Sequence, residues 1–380
     1  MKDKAFKKKM ITSLASSIAL VAVCAASNIS SKASYVSNNS LSLPSTTTNP
    51  KVAFITLNDK NANFGLRAYP KVSTESNVVA KLKSGTKVTA YSESVVNEKI
   101  TWVKVKSGGK IGWVNERCLT EIYIDERENY WRYSSEESAV IIKKTRRFDS
   151  DVYTAKIKIN DPLQFKHVYA AGQTWDRTLK TVPEMTKRYK PIIAINATAC
   201  DVKNNNEPRG TIGSLRKIDY FVKYDTTKKE TCRPSLVYGM DGKLNIGYAK
   251  EETSFDKYNP FWITSFGPAL IKDGTTIQTP ENNAKTVRHP RMAIGQGENP
   301  NEFVIIVVDG RSSVSKGVNY YELATLFEEQ GARVAYNLDG GGSATLVFNG
   351  KILNDPRDTD GTQKVRAVTD SIFIRDIIKK

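Results

Sequence analysis

Histidine and cysteine are scarce in this 380-residue chain, which holds two of the first and four of the second. Two histidines leave little for a histidine-built metal centre. They also restrict any serine–histidine triad to His167 or His289, and nothing in the sequence brings a serine beside either. No C-x-x-C spacing occurs, which argues against a zinc ribbon, and the cysteines are too few for a disulfide-dense scaffold. A P-loop, a dinucleotide-binding glycine fingerprint, H-E-x-x-H and a nucleophile elbow are all missing. No organic cofactor is implied. The aspartates leave a divalent ion open, but no ligand spacing calls for one, and no metal ligands are assigned. Apolar runs are short: Met10 to Val23 is diluted by Thr12, Ser13, Ser16 and Ser17 and falls short of a membrane span.

Basic residues outnumber acidic ones, 57 to 40, for a formal charge of +17. Lys2, Lys4 and Lys7 to Lys9 precede the apolar stretch, and the small residues Ala25, Ala26 and Ala33 follow it. That order predicts a signal peptide over residues 1–33 and a secreted or cell-wall-associated protein, with no stable membrane span after cleavage. Val23 is a poor lipobox residue before Cys24, so a lipoprotein form is not expected. Residues 1–33 carry six lysines and one aspartate, and the charge without them is still +12. Such a surface concentrates anionic partners, and export favours wall glycopolymer or membrane lipid over nucleic acid. Cys118, Cys200 and Cys232 would remain, either with a Cys200–Cys232 bridge or as buried apolar thiols.

Residues 34–50 are rich in serine, asparagine and threonine without periodicity and predict a disordered linker. From 51 to 122, the runs Val78 to Lys83, Thr86 to Tyr91, Trp102 to Lys106 and Lys110 to Val114 are separated by Ser84-Gly85 and Ser107-Gly108-Gly109. Short strands joined by tight turns predict a small all-β barrel. Leu66-Arg67-Ala68, the run Val79 to Val88, Trp102 to Lys106 and Gly112-Trp113-Val114, in that order, resemble the bacterial SH3 family. The resemblance implies tethering to peptidoglycan. Trp102, Trp113 and Tyr69 read as core, so no site is assigned to this module.

Residues 123–380 form the second unit, predicted as an α+β domain with a mixed β-sheet and packed helices. Its clearest segment begins with the apolar run Phe303 to Val308, which stops at Asp309-Gly310-Arg311. Asn319 and Glu322 then form a capping box ahead of Leu323, Leu326 and Phe327, and Gly331 ends the helix. A second strand, Val334 to Leu338, stops at Asp339-Gly340-Gly341-Gly342-Ser343. Strand, crossover helix and strand give two strands pointing the same way. If they are neighbours, Asp309 and Asp339 leave one sheet edge together and push each other's pKa apart, supplying an acid and a base. The glycines would bare backbone N–H groups for an oxyanion or phosphate. Arg288-His289-Pro290-Arg291 adds two arginines about a histidine, a compact anion receptor.

These three motifs, with Ala194-Ile195-Asn196, Gly267-Pro268-Ala269-Leu270, Lys272-Asp273-Gly274 and Arg366-Ala367-Val368, resemble the phosphodiester glycosidase family over roughly the last two hundred residues. The resemblance implies hydrolysis between a sugar anomeric carbon and a phosphodiester oxygen, of the GlcNAc-1-phosphate diester type, in cell-wall or envelope glycopolymer. A phosphomonoester is a good leaving group, so holding phosphate charge and activating water matter more than strong acid assistance. On this reading Arg288, Arg291, Arg311 and the loop Gly341, Gly342, Ser343 receive phosphate. Asp309 or Asp339 is the base, His289 positions water or protonates the leaving oxygen, and Asn196 faces the pocket. The family carries glycines and an aromatic after that asparagine, whereas this chain has Ala197-Thr198-Ala199-Cys200, which would narrow the site, change the sugar accepted or lower the activity. Asp370 likewise stands where asparagine is common. Two other readings are a non-catalytic wall-polymer binder and a phosphodiesterase that breaks P–O and releases sugar phosphate.

Overall fold

The computed structural model describes residues 51–377 apart from 56, 58–62, 73–76, 126–128, 202, 204, 223–233, 249–251 and 278–286. The predicted signal peptide and linker, Cys24 and Cys232 therefore lie outside the described residues. Among those described, no helix is long and apolar enough to cross a membrane.

The amino-terminal module is built from the strands Lys51–Ile55, Asn63–Arg67, Val78–Lys83, Lys87–Asn97, Ile100–Ser107 and Lys110–Asn115. Alternation along them buries Leu66, Leu82, Val88, Val103, Val105 and Val114 in one core. The turns fall where glycine permits positive φ, as at Gly108 and Gly109. The expected barrel does not close. Lys51–Ile55 pairs with Leu119–Asp125, which pairs in turn with Tyr130–Ser134. The edge that closure would use is thus spent on continuing the sheet, which runs on into the second unit as fifteen strands. The predicted boundary after residue 122 falls inside Leu119–Asp125.

The second unit corrects the expected α+β class. The described residues are 50% strand and 12% helix, and they form no layer of packed helices. Its apolar runs are short and β-branched, such as Ile193–Asn196, Pro260–Ser265 and Asp370–Ile374, and tight turns join them. The segment that cap and periodicity marked together is helical: Tyr320–Glu328, with the Asn319/Glu322 capping box formed. It covers one face of the large sheet through Leu323, Leu326 and Phe327. The opposite face shares a core with two five-stranded sheets, through Met292, Ile294, Ile305, Val307, Tyr336 and Leu338.

The strands that carry the site are Arg291–Gln296, Glu302–Val308 and Val334–Asn337. Arg291–Gln296 lies between the other two and is antiparallel to both, with Arg291 opposite Val308 and Ala293 opposite Asn337. Glu302–Val308 and Val334–Asn337 are therefore parallel, as expected, but separated by a strand. Their carboxyl ends meet the start of the middle strand at one edge, about 10 Å apart along the backbone spacing.

Candidate active site

Three loops meet at that edge with almost no space between their backbones. A Cβ on Gly310 would stand 2.9 Å from Pro290 N, and one on Gly340 would stand 2.7 Å from Pro290 O. Gly317, at φ +87°, packs equally closely on His289. Gly341 N–H donates to Pro290 O at 2.9 Å, and His289 exchanges backbone hydrogen bonds with Val318. The His289-Pro290 turn is thus wedged between the aspartate loops. Glycines are required because a side chain at these approaches would collide with backbone.

The two aspartates differ. Asp309 is buried, and its Oδ1 accepts from Asn354 Nδ2 at 3.2 Å and Asp355 N–H at 2.9 Å. Asp339 keeps partial exposure, and among the described residues it forms no salt bridge. Burial pushes each carboxyl from 3.8 up to about 6. Mutual repulsion is not the cause: the charges that act on Asp309 are Asp355 and Asp151, and those on Asp339 are Arg366 and Arg209. The intervening strand explains why the expected coupling fails. Ser343 Oγ, buried without a well-formed hydrogen bond, is close enough to Asp339 to ease its ionisation.

The four arginines fall into two kinds. Arg288 ion-pairs with Glu322 of the capping box and reaches Phe148 O, which ties it to the helix start. Arg291 is buried, donates to Val318 O at 3.1 Å and lies 4.0 Å from the Tyr320 ring centre. Both act as framework. Arg311 and Arg366 instead lie against the glycine turn. A Cβ on Gly341 would stand 2.9 Å from Arg311 Nη2, and one on Gly342 would stand 3.0 Å from Arg366 Nη2. Burial and then the Arg366 charge lower the proton affinity of Arg311. His289 is half-buried, and its own proton affinity is lowered by burial and then by Arg291 and Arg311, so it is neutral near pH 7.

Asn196 does not present its amide to a pocket. Fully buried, it donates to Asp339 O at 2.6 Å and accepts from Thr345 N–H at 3.1 Å, bracing both ends of the glycine turn. The turn's own N–H groups are partly committed, since Ser343 N–H reaches Gly340 O and Ala344 N–H reaches Gly341 O. The cationic groups that lie against this loop are the guanidinium groups of Arg311 and Arg366.

Sequence reading assigned no role to Asn354, Asp355, Asp358 or Arg366. The segment they belong to crosses the site, because Arg311 Nη1 donates to Arg357 O and Arg366 N–H to Gly342 O. The run Arg366-Ala367-Val368 was the one signal there. Behind the turn, His167 Nε2 is 2.8 Å from Asp370 Oδ2, and Thr198 donates to both oxygens of that carboxyl. The departure at Ala197 to Cys200 thus packs on an equally unusual acid. Burial and then Asp339 and Asp370 push the Cys200 thiol up to about 11, which marks it as near both. Among the described residues no cluster of ligating side chains could hold a metal ion.

A family model for phosphodiester glycosidases matches residues 189–375, and one for the bacterial SH3 domain matches residues 66–120. The SPbeta prophage-derived uncharacterized protein YomE of Bacillus subtilis (strain 168) is 34% identical over 206 residues, 51% of this chain and 29% of that protein. The N-acetylglucosamine-1-phosphodiester alpha-N-acetylglucosaminidases of Bos taurus and Homo sapiens are 33% and 32% identical over 133 residues, 31% of this chain and 25% of theirs. The chain thus spans under a third of the length of these curated relatives. The zebrafish catalytic domain of that name, auto-inhibited by pro-peptide, shares the fold at a TM-score of 0.50 and 22% identity, covering 63% of this chain and 83% of its own. A hypothetical protein from Synechocystis does so at 0.50 and 13%, covering 87% and 81%. Residues 189–375 belong to the phosphodiester glycosidase family, behind a bacterial SH3 domain at residues 66–120.

Proposed function

We propose that this chain hydrolyses a sugar-1-phosphodiester, of the GlcNAc-1-phosphate type, at the glycine turn after Val334–Asn337, releasing free sugar. The observation that carries the reading is the meeting of Asp339, His289 and Arg311 around that turn. Arg311 holds the phosphate, whose departure needs little protonation. Asp339, ionised above about pH 6, activates water or stabilises the developing positive charge at the anomeric carbon. Neutral His289 suits orienting that water better than donating a proton. Asp309, buried and bonded to Asn354 and Asp355, holds the crossing segment in place.

The protein is further proposed to be exported, with residues 51–122 tethering residues 123–380 to peptidoglycan beside an anionic wall glycopolymer. The basic sequence and the bacterial SH3 match support this. Incubation of purified protein with UDP-GlcNAc tests the reaction. Release of GlcNAc is expected; release of GlcNAc-1-phosphate would indicate phosphodiesterase action, and binding without release a wall-polymer binder.

A further inference from the structure

Two guanidinium groups crowd the same turn, and they are held unequally. Arg366 Nη2 donates to Asp358 Oδ1 at 2.6 Å, and the pair is about one-third exposed at its side chains, 36% and 28%. Arg311 donates to the Arg357 carbonyl at 3.1 Å and forms no salt bridge among the described residues. Two like charges over neighbouring glycines disfavour each other's charged form, a cost that an anion between them would offset. Both groups approach so closely that a Cβ on Gly341 or Gly342 would press on them, and a larger residue there would displace them. Among the described residues Asp358 is the one carboxylate bonded to this pair. It stands on the segment that crosses the site, fixed by its N–H bond to Thr362 O and by Thr359 N–H.

We propose that Arg366 is a second phosphate anchor, paired with Arg311, and that Asp358 is the resident counter-ion which the substrate's phosphate displaces. The inference deepens the function proposed above and rests on its placement of the substrate. It makes the phosphate, rather than the sugar alone, the feature that selects the ligand. Arg366 orients the leaving phosphate against the turn while Asp339 works on the anomeric carbon. Asp358 keeps the guanidinium from collapsing onto Asp339 when the site is empty.

The test is calorimetric binding of GlcNAc-1-phosphate and of GlcNAc to the full chain, in wild type, R366Q, R366K and D358N, with melting curves for each. Losing a charge-assisted, forked contact is worth about 10- to 100-fold. The affinity ratio of GlcNAc-1-phosphate over GlcNAc should fall by about that factor in R366Q, with partial recovery in R366K. It should rise about threefold in D358N, where the competitor is gone. Using a ratio cancels any general loosening of the fold. An unchanged ratio in R366Q, or a fall in D358N matching that in R366Q, would overturn the proposal. If the ratio depends on Arg366 but UDP-GlcNAc yields no GlcNAc, the anchor stands and the glycosidase reading fails.

Discussion

Asp309 and Asp339 end parallel strands at one sheet edge, carry equally raised proton affinities, and stand in different surroundings. Asp309 is closed off, with two donors on one oxygen. Asp339 opens toward solvent beside a turn that carries two guanidinium groups and a hydroxyl without a well-formed partner. A raised carboxyl pKa reports burial in both places and by itself does not mark the reacting group. What separates them is exposure: Asp339 interacts with Ser343 and Gly340 yet keeps a face open to solvent, which a group that meets a ligand requires. The arginines repeat the contrast: Arg288 and Arg291 are consumed by the framework, while Arg311 and Arg366 face the turn.

The sharpest way to break this comparison is turnover. Asp339→Asn is expected to lower kcat on UDP-GlcNAc by about 10²- to 10⁴-fold with little change in melting, while Asp309→Asn lowers it tenfold or less. GlcNAc release measured beside melting curves checks both. Stability separates the pair further. Ionising Asp309 is unfavourable in the fold, so the cost is full above about pH 6 and vanishes as pH falls toward 3.8. A rise from 3.8 to about 6 corresponds to at most about 3 kcal/mol. Asp309→Asn should therefore be more stable than wild type by about 1–3 kcal/mol in urea at pH 8, an advantage that shrinks by pH 4.5. Asn196→Ala unties both ends of the glycine turn and leaves a buried N–H and carbonyl without partners. It should cost about 1–3 kcal/mol in urea unfolding and lower kcat more than it raises KM. The smallest effect belongs to Arg288→Gln, which loses a partly exposed ion pair worth at most about 1 kcal/mol and should leave KM for UDP-GlcNAc unchanged.

Much of this edge was legible in the sequence, because its signals are local. The capped helix at Asn319, the apolar run that stops at Asp309 and the glycine run after Asp339 each declare themselves within a few residues. Strand order is not local. The sequence shows that Phe303 to Val308 and Val334 to Leu338 are parallel, but not that Arg291–Gln296 lies between them, and so it overstated the coupling of the aspartates. Partner assignment fails for the same reason. Arg288 and Arg291 look like a free cationic pair until Glu322 and Tyr320 arrive from about thirty residues away. Arg366 is flagged by its motif, but its partner is not, until the chain folds it over Gly342 and beside Asp358. The helices expected of an α+β domain came from generalising a single strand–helix–strand unit to a region whose other apolar runs are too short and too β-branched to be helical.

The pH dependence of kcat/KM for UDP-GlcNAc, measured in wild type and in Asp309→Asn, tests the central assignment most directly. If Asp339 must be ionised, both proteins should show a limb that rises with pH through about 6 and then levels. A limb present in wild type and erased in Asp309→Asn would transfer the role to the buried aspartate and contradict the assignment of Asp339.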